Sequence, residues 1–577
     1  MRQTSAPSGR SDASPGGRRR RRPARVRWFP VLTAVAVVVA LLATPSSALR
    51  TAPLSRAASD GGLSSAALEK LSSGVLQRYL TMHPEQAPEE LRSLLDSPAS
   101  ADAGRVGTAA ILDGVGARFN EDVAGLPQNE ESVTSCPNRQ NVVLGGTNDY
   151  RGLLSPRGNF TGWHLSIDGG QSVTNEGLLP PVPIGGEATP SGGDPVNAAT
   201  GACALYGASL NYPLDLDFGN LAPSTNGVGV YRTTPQRLAN CPGGEHSSCW
   251  PSRRAVATNR AGHFLDKEWM AVGRSGDAGT VVWVVYTDFD FDNPDFPGLF
   301  TNQIKAVRCD RLLRECTRPM LISGQQNSLQ FGDVTVGPDG RTYITWEEDN
   351  DLANNFEPPE RMKFWMRVAP PGSTDFGPAR LVARAPLNLG IAGLHANDLR
   401  ASTYPKNTVA MVGGRPKVFV TWEECEVRTV GDSVCVEPQV KIRSSDDRGA
   451  TWGPTRVVSE AGDNYFPTID TDASTGRVMV AYHTTRYDPQ FHNRYDIELA
   501  TVSARTGQVL DRQRLTQVSN DPEADPLLGG AFIGDYIEVY AEAGRTLVHY
   551  NANYMSIPTV GEGPPIPQQD NFLLVVQ

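Results

Sequence analysis

The 577-residue sequence has no C-x-x-C pair, and its 8 histidines do not gather beside the cysteines, which argues against a cysteine–histidine metal site. It has no excess of positive charge: 53 Lys and Arg face 63 Asp and Glu. Nothing beyond the first residues resembles a nucleic-acid footprint. The apolar run from Val31 to Ala43 is 13 residues, short of the ~20 that cross a bilayer as a helix. What is abundant is turn chemistry. With 57 Gly, 44 Pro and 39% apolar residues, the composition points to an all-β chain with a sizeable core and many turns.

Residues 1–48 read as a secretory signal. Arg18 to Arg22, Arg25 and Arg27 form a basic start, the apolar run follows, and Ser46-Ser47-Ala48 offers small residues for cleavage. An uncleaved membrane anchor is the alternative. Removing this segment takes away nine Arg and one acid, a net +8, so the charge moves from −10 to −18. A secreted or cell-envelope location is expected, with no stable membrane insertion after cleavage and no nucleic-acid partner. All 8 cysteines lie beyond the signal, as suits an oxidising compartment. Cys241 and Cys249, Cys309 and Cys316, and Cys425 and Cys435 are each separated by a short polar turn, which leaves Cys136 with Cys203. Eight cysteines allow 105 connectivities, and this one is the expectation.

Residues 49–117 read as a disordered and helical arm, with Leu68, Leu71, Val75, Leu76 and Tyr79 on one helical face. From residue 118 to 577 the texture is short β runs, and one element recurs. It is an alternating apolar run ending in an aromatic and then polar or acidic residues, as in Val282-Trp283-Val284-Val285-Tyr286-Thr287-Asp288 and Thr342-Tyr343-Ile344-Thr345-Trp346-Glu347-Glu348. The landmarks Gly146, Ala208, Tyr286, Trp346, Trp422, Tyr482 and Tyr550 are 62, 78, 60, 76, 60 and 68 residues apart. Each interval holds a four-stranded blade with extended loops. Seven copies favour a seven-bladed β-propeller, with six blades as the alternative. The last strand, Asp570 to Val576, needs a partner. Arg118-Phe119-Asn120-Glu121 is available to close the ring.

The stretch Ser445, Asp447, Gly449, Thr451 and Trp452 fits S-x-D-x-G-x-T-W, with a degenerate relative at Ser166 to Ser172 and an echo at Asp375 to Val382. Asp447 accepts from the turn's own amides, Gly449 supplies positive φ, and Trp452 is expected as a buried anchor. This pattern resembles the Asp-box, or BNR repeat, of the sialidase-like β-propellers. The resemblance covers roughly residues 118–577 and implies that the turn joins strands 3 and 4, away from the axial funnel, with a structural role. It also implies three Arg clamping a substrate carboxylate, a Tyr nucleophile activated by Glu, and an Asp acid/base. The sequence lacks the family's F/Y-R-I-P motif, because the corresponding entry, Asn129-Glu130-Glu131-Ser132-Val133, has no Arg. No catalytic residue is therefore carried over.

Candidate ligand-binding residues are the strand-2 tips and strand-1 entries that face the funnel: Asp149, Tyr150, Arg151, Asp266, Glu347, Arg400, Glu423, Arg486, Asp535 and Tyr536. The plain alternative for each acidic tip is a solvated loop or a hydrogen-bond partner to the next blade. Asp288, Asp290, Asp292 and Asp295 are the densest oxygen cluster and a candidate Ca²⁺ site. His483 and His549 read as packing residues. The function expected is extracellular recognition of a ligand, a glycan above all. An exo-α-sialidase type of glycoside hydrolase is the alternative.

Overall fold

The computed structural model describes residues 111–112, 116–121, 126–155, 157–213, 225–290, 301–324, 329–348, 362–386, 394, 397, 399–425, 435, 437–525, 528, 532–557 and 566–577. The expected signal lies outside them, as does the expected arm over 49–117 except residues 111–112 and 116–117, which are strands. Seven antiparallel sheets follow one another along the chain. Blade 1 runs from its first strand Gln128–Cys136 to its fourth Asn175–Leu178, blade 2 from Val196–Ala199 to Ser252–Thr258, and blade 3 from His263–Arg274 to Met320–Leu321. Blade 4 runs from Leu329–Val336 to Arg380–Ala385, blade 5 from Lys406–Val412 to Arg456–Val457, and blade 6 from Asn464–Asp472 to Val509–Arg514. Blade 7 takes Glu538–Glu542, Arg545–Ile557 and Ile566–Val576. The first strand of each blade packs on that of the next, and the seventh on the first. The protein is a seven-bladed β-propeller. Every landmark residue, Gly146 through Tyr550, lies on the second strand of its blade.

The ring closes through the earliest part of the fold. Gly116–Arg118 pairs antiparallel with the last strand, Ala117 opposite Leu573 and Arg118 opposite Phe572, and Ile111–Leu112 adds a fifth strand outside it. Side chains reinforce the seam. Arg118 Nε meets Asp570 Oδ2 at 2.5 Å, and Asn120 also binds Asp570. Phe119 is buried edge-on against His549, in the apolar cluster joining blades 7 and 1. Similar clusters fill the other blade interfaces, as with Val282, Met270 and Tyr206 between blades 2 and 3. Sheets stacked this way bury both faces of each blade, which is why the second strands are apolar nearly throughout.

All four disulfides join the expected pairs: Cys136–Cys203, Cys241–Cys249, Cys309–Cys316 and Cys425–Cys435. The turns at Ser166 and Ser445 both join strands 3 and 4, of blades 1 and 5. They share one hydrogen-bond pattern. Ser445 Oγ donates to Asp447 Oδ1 (2.8 Å) and accepts from Gly449 N, while Asp447 accepts from Thr451 N (2.8 Å). Ser166, Asp168, Gly170 and Ser172 repeat it. One expectation fails: Trp452 is half-buried, lying at the edge of the blade 4–5 cluster. Its turn sits at the rim, where no further layer covers the ring.

The two faces of the propeller differ. Strands 1 and 2 are joined by two residues in blades 1, 5 and 7, whereas strands 2 and 3 are separated by eight to fifteen residues in every blade. Second strands end and third strands begin on the face where first strands enter, and ligand sites concentrate on connecting loops.

Candidate functional site

Each first strand has its inner edge on the axis, and the chain departs from regular pairing where it enters. Register skips two residues between Asn129 and Ser132, Asp266 and Trp269, Gln330 and Asp333, and Tyr465 and Thr468. The entry residue adopts positive φ in six blades: Glu130 (59°), Asp194 (53°), Lys267 (53°), Phe331 (54°), Phe466 (52°) and Gly534 (88°). Side chains avoid this conformation unless the surroundings impose it, and bulges of this kind re-aim side chains. The glycine in blade 7 is required by contact as well, because a Cβ on Gly534 would lie 2.7 Å from the Glu130 amide nitrogen.

The re-aimed side chains meet. Lys267 Nζ binds Asp535 and lies 3.6 Å from Glu130 and 3.5 Å from Asp194. Arg400 grips the same Asp535 with two bonds, Nε to Oδ1 at 2.8 Å and Nη2 to Oδ2 at 2.5 Å. Burial and the charge of Asp194 push Glu130 well above the ordinary carboxylate range. Asp535 is desolvated too, but Arg400 and Lys267 hold it below. Aromatic rings border the group. Trp269 meets Tyr536 edge-on at 5.3 Å, Phe331 lies 3.7 Å from Tyr404, and Arg400 stands 4.7 Å over Phe532. Lys406 Nζ caps Trp269 at 2.8 Å from its centroid. Among the described residues the buried Tyr404 hydroxyl has no hydrogen-bond partner, although its neighbours include Asp535, Lys267, Glu130 and Arg400.

Along the first strands, carboxylates bond to the next blade. Asp333 accepts from Asn407 N (2.6 Å), Asp470 from Ala541 N (2.8 Å) and Glu538 from Val133 N (2.7 Å). These bonds satisfy amides that an inner edge strand would otherwise leave open. Burial raises Asp333 to about 6, Asp470 to about 7 and Glu538 to about 8, and lowers Lys406 to about 8.

Of the candidates read from sequence, Arg400, Asp535 and Tyr536 converge at the axis, and Asp266 is buried beside Lys267. Asp149 caps the turn after its strand through the Arg151 amide. Arg151 pairs with Asp149 and, at 2.7 Å, with Glu176. Tyr150 is buried against Phe160. Glu347 and Glu423 are buried, not solvated, because the neighbouring blade covers the strand-2 tips, and burial pushes Glu423 up to about 8. Arg486 is elsewhere, on Glu460 and Glu498 of the blade 6 periphery. Asp288 is held by Lys305 and by His263 Nδ1 at 2.8 Å, and Asp290 lies 3.7 Å from His263 Nε2. Asp292 and Asp295 lie outside the described residues, among which no group of three or more His, Cys, Asp or Glu is arranged to hold a metal ion. His483 and His549 are buried, and burial lowers both to about 3.

The sequence reading did not single out Glu130, Asp194, Lys267, Tyr404 or Lys406. For Glu130 and Lys267 the signal was present in the entry phrases Asn129-Glu130-Glu131 and Asp266-Lys267-Glu268-Trp269. Which side chain turns inward depends on a bulge that the residues do not announce. A Tyr–Glu pair exists in blade 6, where Tyr487 donates to Glu498 at 2.7 Å, and burial and this neighbour raise the phenol.

No family model and no curated protein matches the sequence. Among solved structures, an α-L-arabinofuranosidase of Fusarium graminearum is similar at TM-score 0.40 and 12% identity, over 70% of this chain and 100% of that one. A lectin from Burkholderia pseudomallei gives 0.39 and 10%, over 74% and 93%. Trypanosoma rangeli sialidase gives 0.37 and 8%, over 70% and 55%. The propeller assignment rests on the sheet pairing itself.

Proposed function

We propose that the protein recognises carbohydrate at the axial mouth, as an extracellular binding module. The observation that carries this reading is the buried Tyr404 hydroxyl, which has no hydrogen-bond partner among the described residues and lies amid Arg400, Asp535 and Lys267. A buried polar group of this kind invites a ligand that can both donate and accept. Sugar hydroxyls do both and bring no net charge to desolvate. The Tyr404 and Phe532 rings supply apolar faces beside the charged pair. Four disulfides suit an oxidising compartment. A sialidase-type clamp needs guanidinium groups free for a carboxylate, whereas Arg400 is committed bidentately to Asp535.

The test is a panel of neutral and acidic oligosaccharides titrated against the purified protein. A neutral oligosaccharide should bind, and Tyr404→Phe should weaken it about tenfold with the unfolding transition unchanged. The reading is lost if no glycan binds. It is also lost if the protein hydrolyses a fluorogenic sialoside in a way that Arg400→Ala abolishes.

A further inference from the structure

On the face opposite the mouth, a cavity of 180 Å³ lies between blades 5 and 6. That is more than ten times the roughly 15 Å³ needed to hold one water. Lys417 from the second strand of blade 5, Arg443 and Ser444 from its third, and Arg456 from its fourth line it, with the Thr506–Gly507 turn of blade 6 as the far wall. Three cations thus face one acid, Asp446, in a chain whose net charge is −10.

These cations are poorly neutralised. Lys417 Nζ donates to the neutral Arg505 carbonyl at 3.2 Å and lies 3.2 Å from Asp446, but that carboxylate is 84% exposed and solvent screens the pair. Arg443 donates Nε to the Gly453 carbonyl at 2.8 Å and Nη1 to the Val382 carbonyl at 2.5 Å. Both partners are neutral, and burial lowers the Arg443 pKa. Among the described residues, the Arg456 guanidinium makes no hydrogen bond or ion pair, and the Ser444 hydroxyl has no partner, although both line the cavity. Two guanidinium groups, a hydroxyl and an ammonium therefore converge with donors to spare.

We propose that this cavity is an oxyanion site, taking the carboxylate of an acidic sugar or a free sulfate or phosphate. Arg456 supplies the planar fork, Ser444 a neutral donor, and Lys417 and Arg443 the surrounding charge. The site is separate from the axial mouth, and its test does not depend on what binds there.

Inorganic sulfate, inorganic phosphate and glucuronate should each be titrated calorimetrically into the full chain at constant ionic strength. Arg456→Gln is the diagnostic variant, because that guanidinium makes no hydrogen bond or ion pair among the described residues. At least one probe should bind the wild-type protein, and the variant should bind it at least tenfold more weakly. Arg456→Lys, which keeps the charge and loses the fork, should fall between. Binding of glucuronate alone assigns the acidic sugar, and binding of sulfate or phosphate assigns the free ion. The proposal is overturned if no probe binds at about ten times a millimolar Kd, or if wild type and Arg456→Gln bind equally.

Discussion

Arg400 and Asp535, 135 residues apart, form two parallel hydrogen bonds at the axis, and Lys267 binds the same carboxylate from another blade. Leaving a buried charge with no partner costs about 3–5 kcal/mol. Arg400→Met should cost less than that in urea unfolding, because Lys267 still holds Asp535. Lys267→Met with Arg400→Met should cost more than the sum of the two single changes, because only the double change strips the acid of both cations. Strict additivity would show that they act independently.

The seam between the first and last strands is a second point of vulnerability. Phe119→Ala removes a fully buried ring from the blade 7–1 cluster and should cost about 3–5 kcal/mol. Native-state hydrogen exchange should show the added opening in Ile566–Val576 first. Uniform loss of protection around the ring would contradict a local seam.

Stability should depend on pH in a particular sense. Asp333, Asp470, Glu538 and Glu423 titrate at about 6, 7, 8 and 8 in the folded protein, above the roughly 4 of an unfolded carboxylate. The folded state binds more protons in that interval. Their contribution is complete below about pH 4 and is lost as pH rises through 6 to 8. Asp535 and Glu176, held low by cations, act oppositely and lose their contribution on acidification. Lys406, lowered to about 8, adds stability only as pH climbs above that value. The maximum should fall near about pH 5, with a decline toward pH 8 that Glu538→Gln makes shallower. A curve flat from pH 5 to 8 would refute this assignment of protons.

The disulfides should rank by the chain they enclose. Cys136–Cys203 spans 67 residues and Cys309–Cys316 spans 7. Loop-closure entropy gives about 4.4 and about 2.4 kcal/mol respectively. Paired Cys→Ser substitutions compared by denaturant midpoint should show the longer loop costing more.

Much of the ring was legible beforehand, because its signals are local. The run around Trp346 and its six relatives is apolar nearly throughout, as suits a strand buried on both faces, and the turn at Asp447 is built from residues within reach of one another. The strand partner of Phe572 was legible too, since a terminal strand needs an edge. Of the axial cluster, Arg400, Asp535 and Tyr536 were among the candidates, but Glu130, Asp194 and Lys267 were not, for a physical reason. At Glu130 and Lys267 an inserted bulge shifts the two-residue alternation, so the face each side chain takes cannot be counted along the chain. Glu347 and Glu423 look like solvated tips in isolation and become buried only when an adjacent blade covers them. Glu538 did carry a signal, an acid between Ile537 and Val539 on a first strand, whose meaning emerges only once the next blade's amide is in place.

The pairing of Arg118 with Phe572 also orders events in time. A ribosome releases Gly116–Arg118 long before Ile566–Val576 exists, so six blades can form while the opening segment waits for its mate. Joining them is a long-range step, with Arg118 and Asp570 separated by 452 residues, and such steps are slow. Until it occurs, the nascent protein exposes two sticky edges, and two copies caught at that stage could exchange strands and leave as an entangled pair.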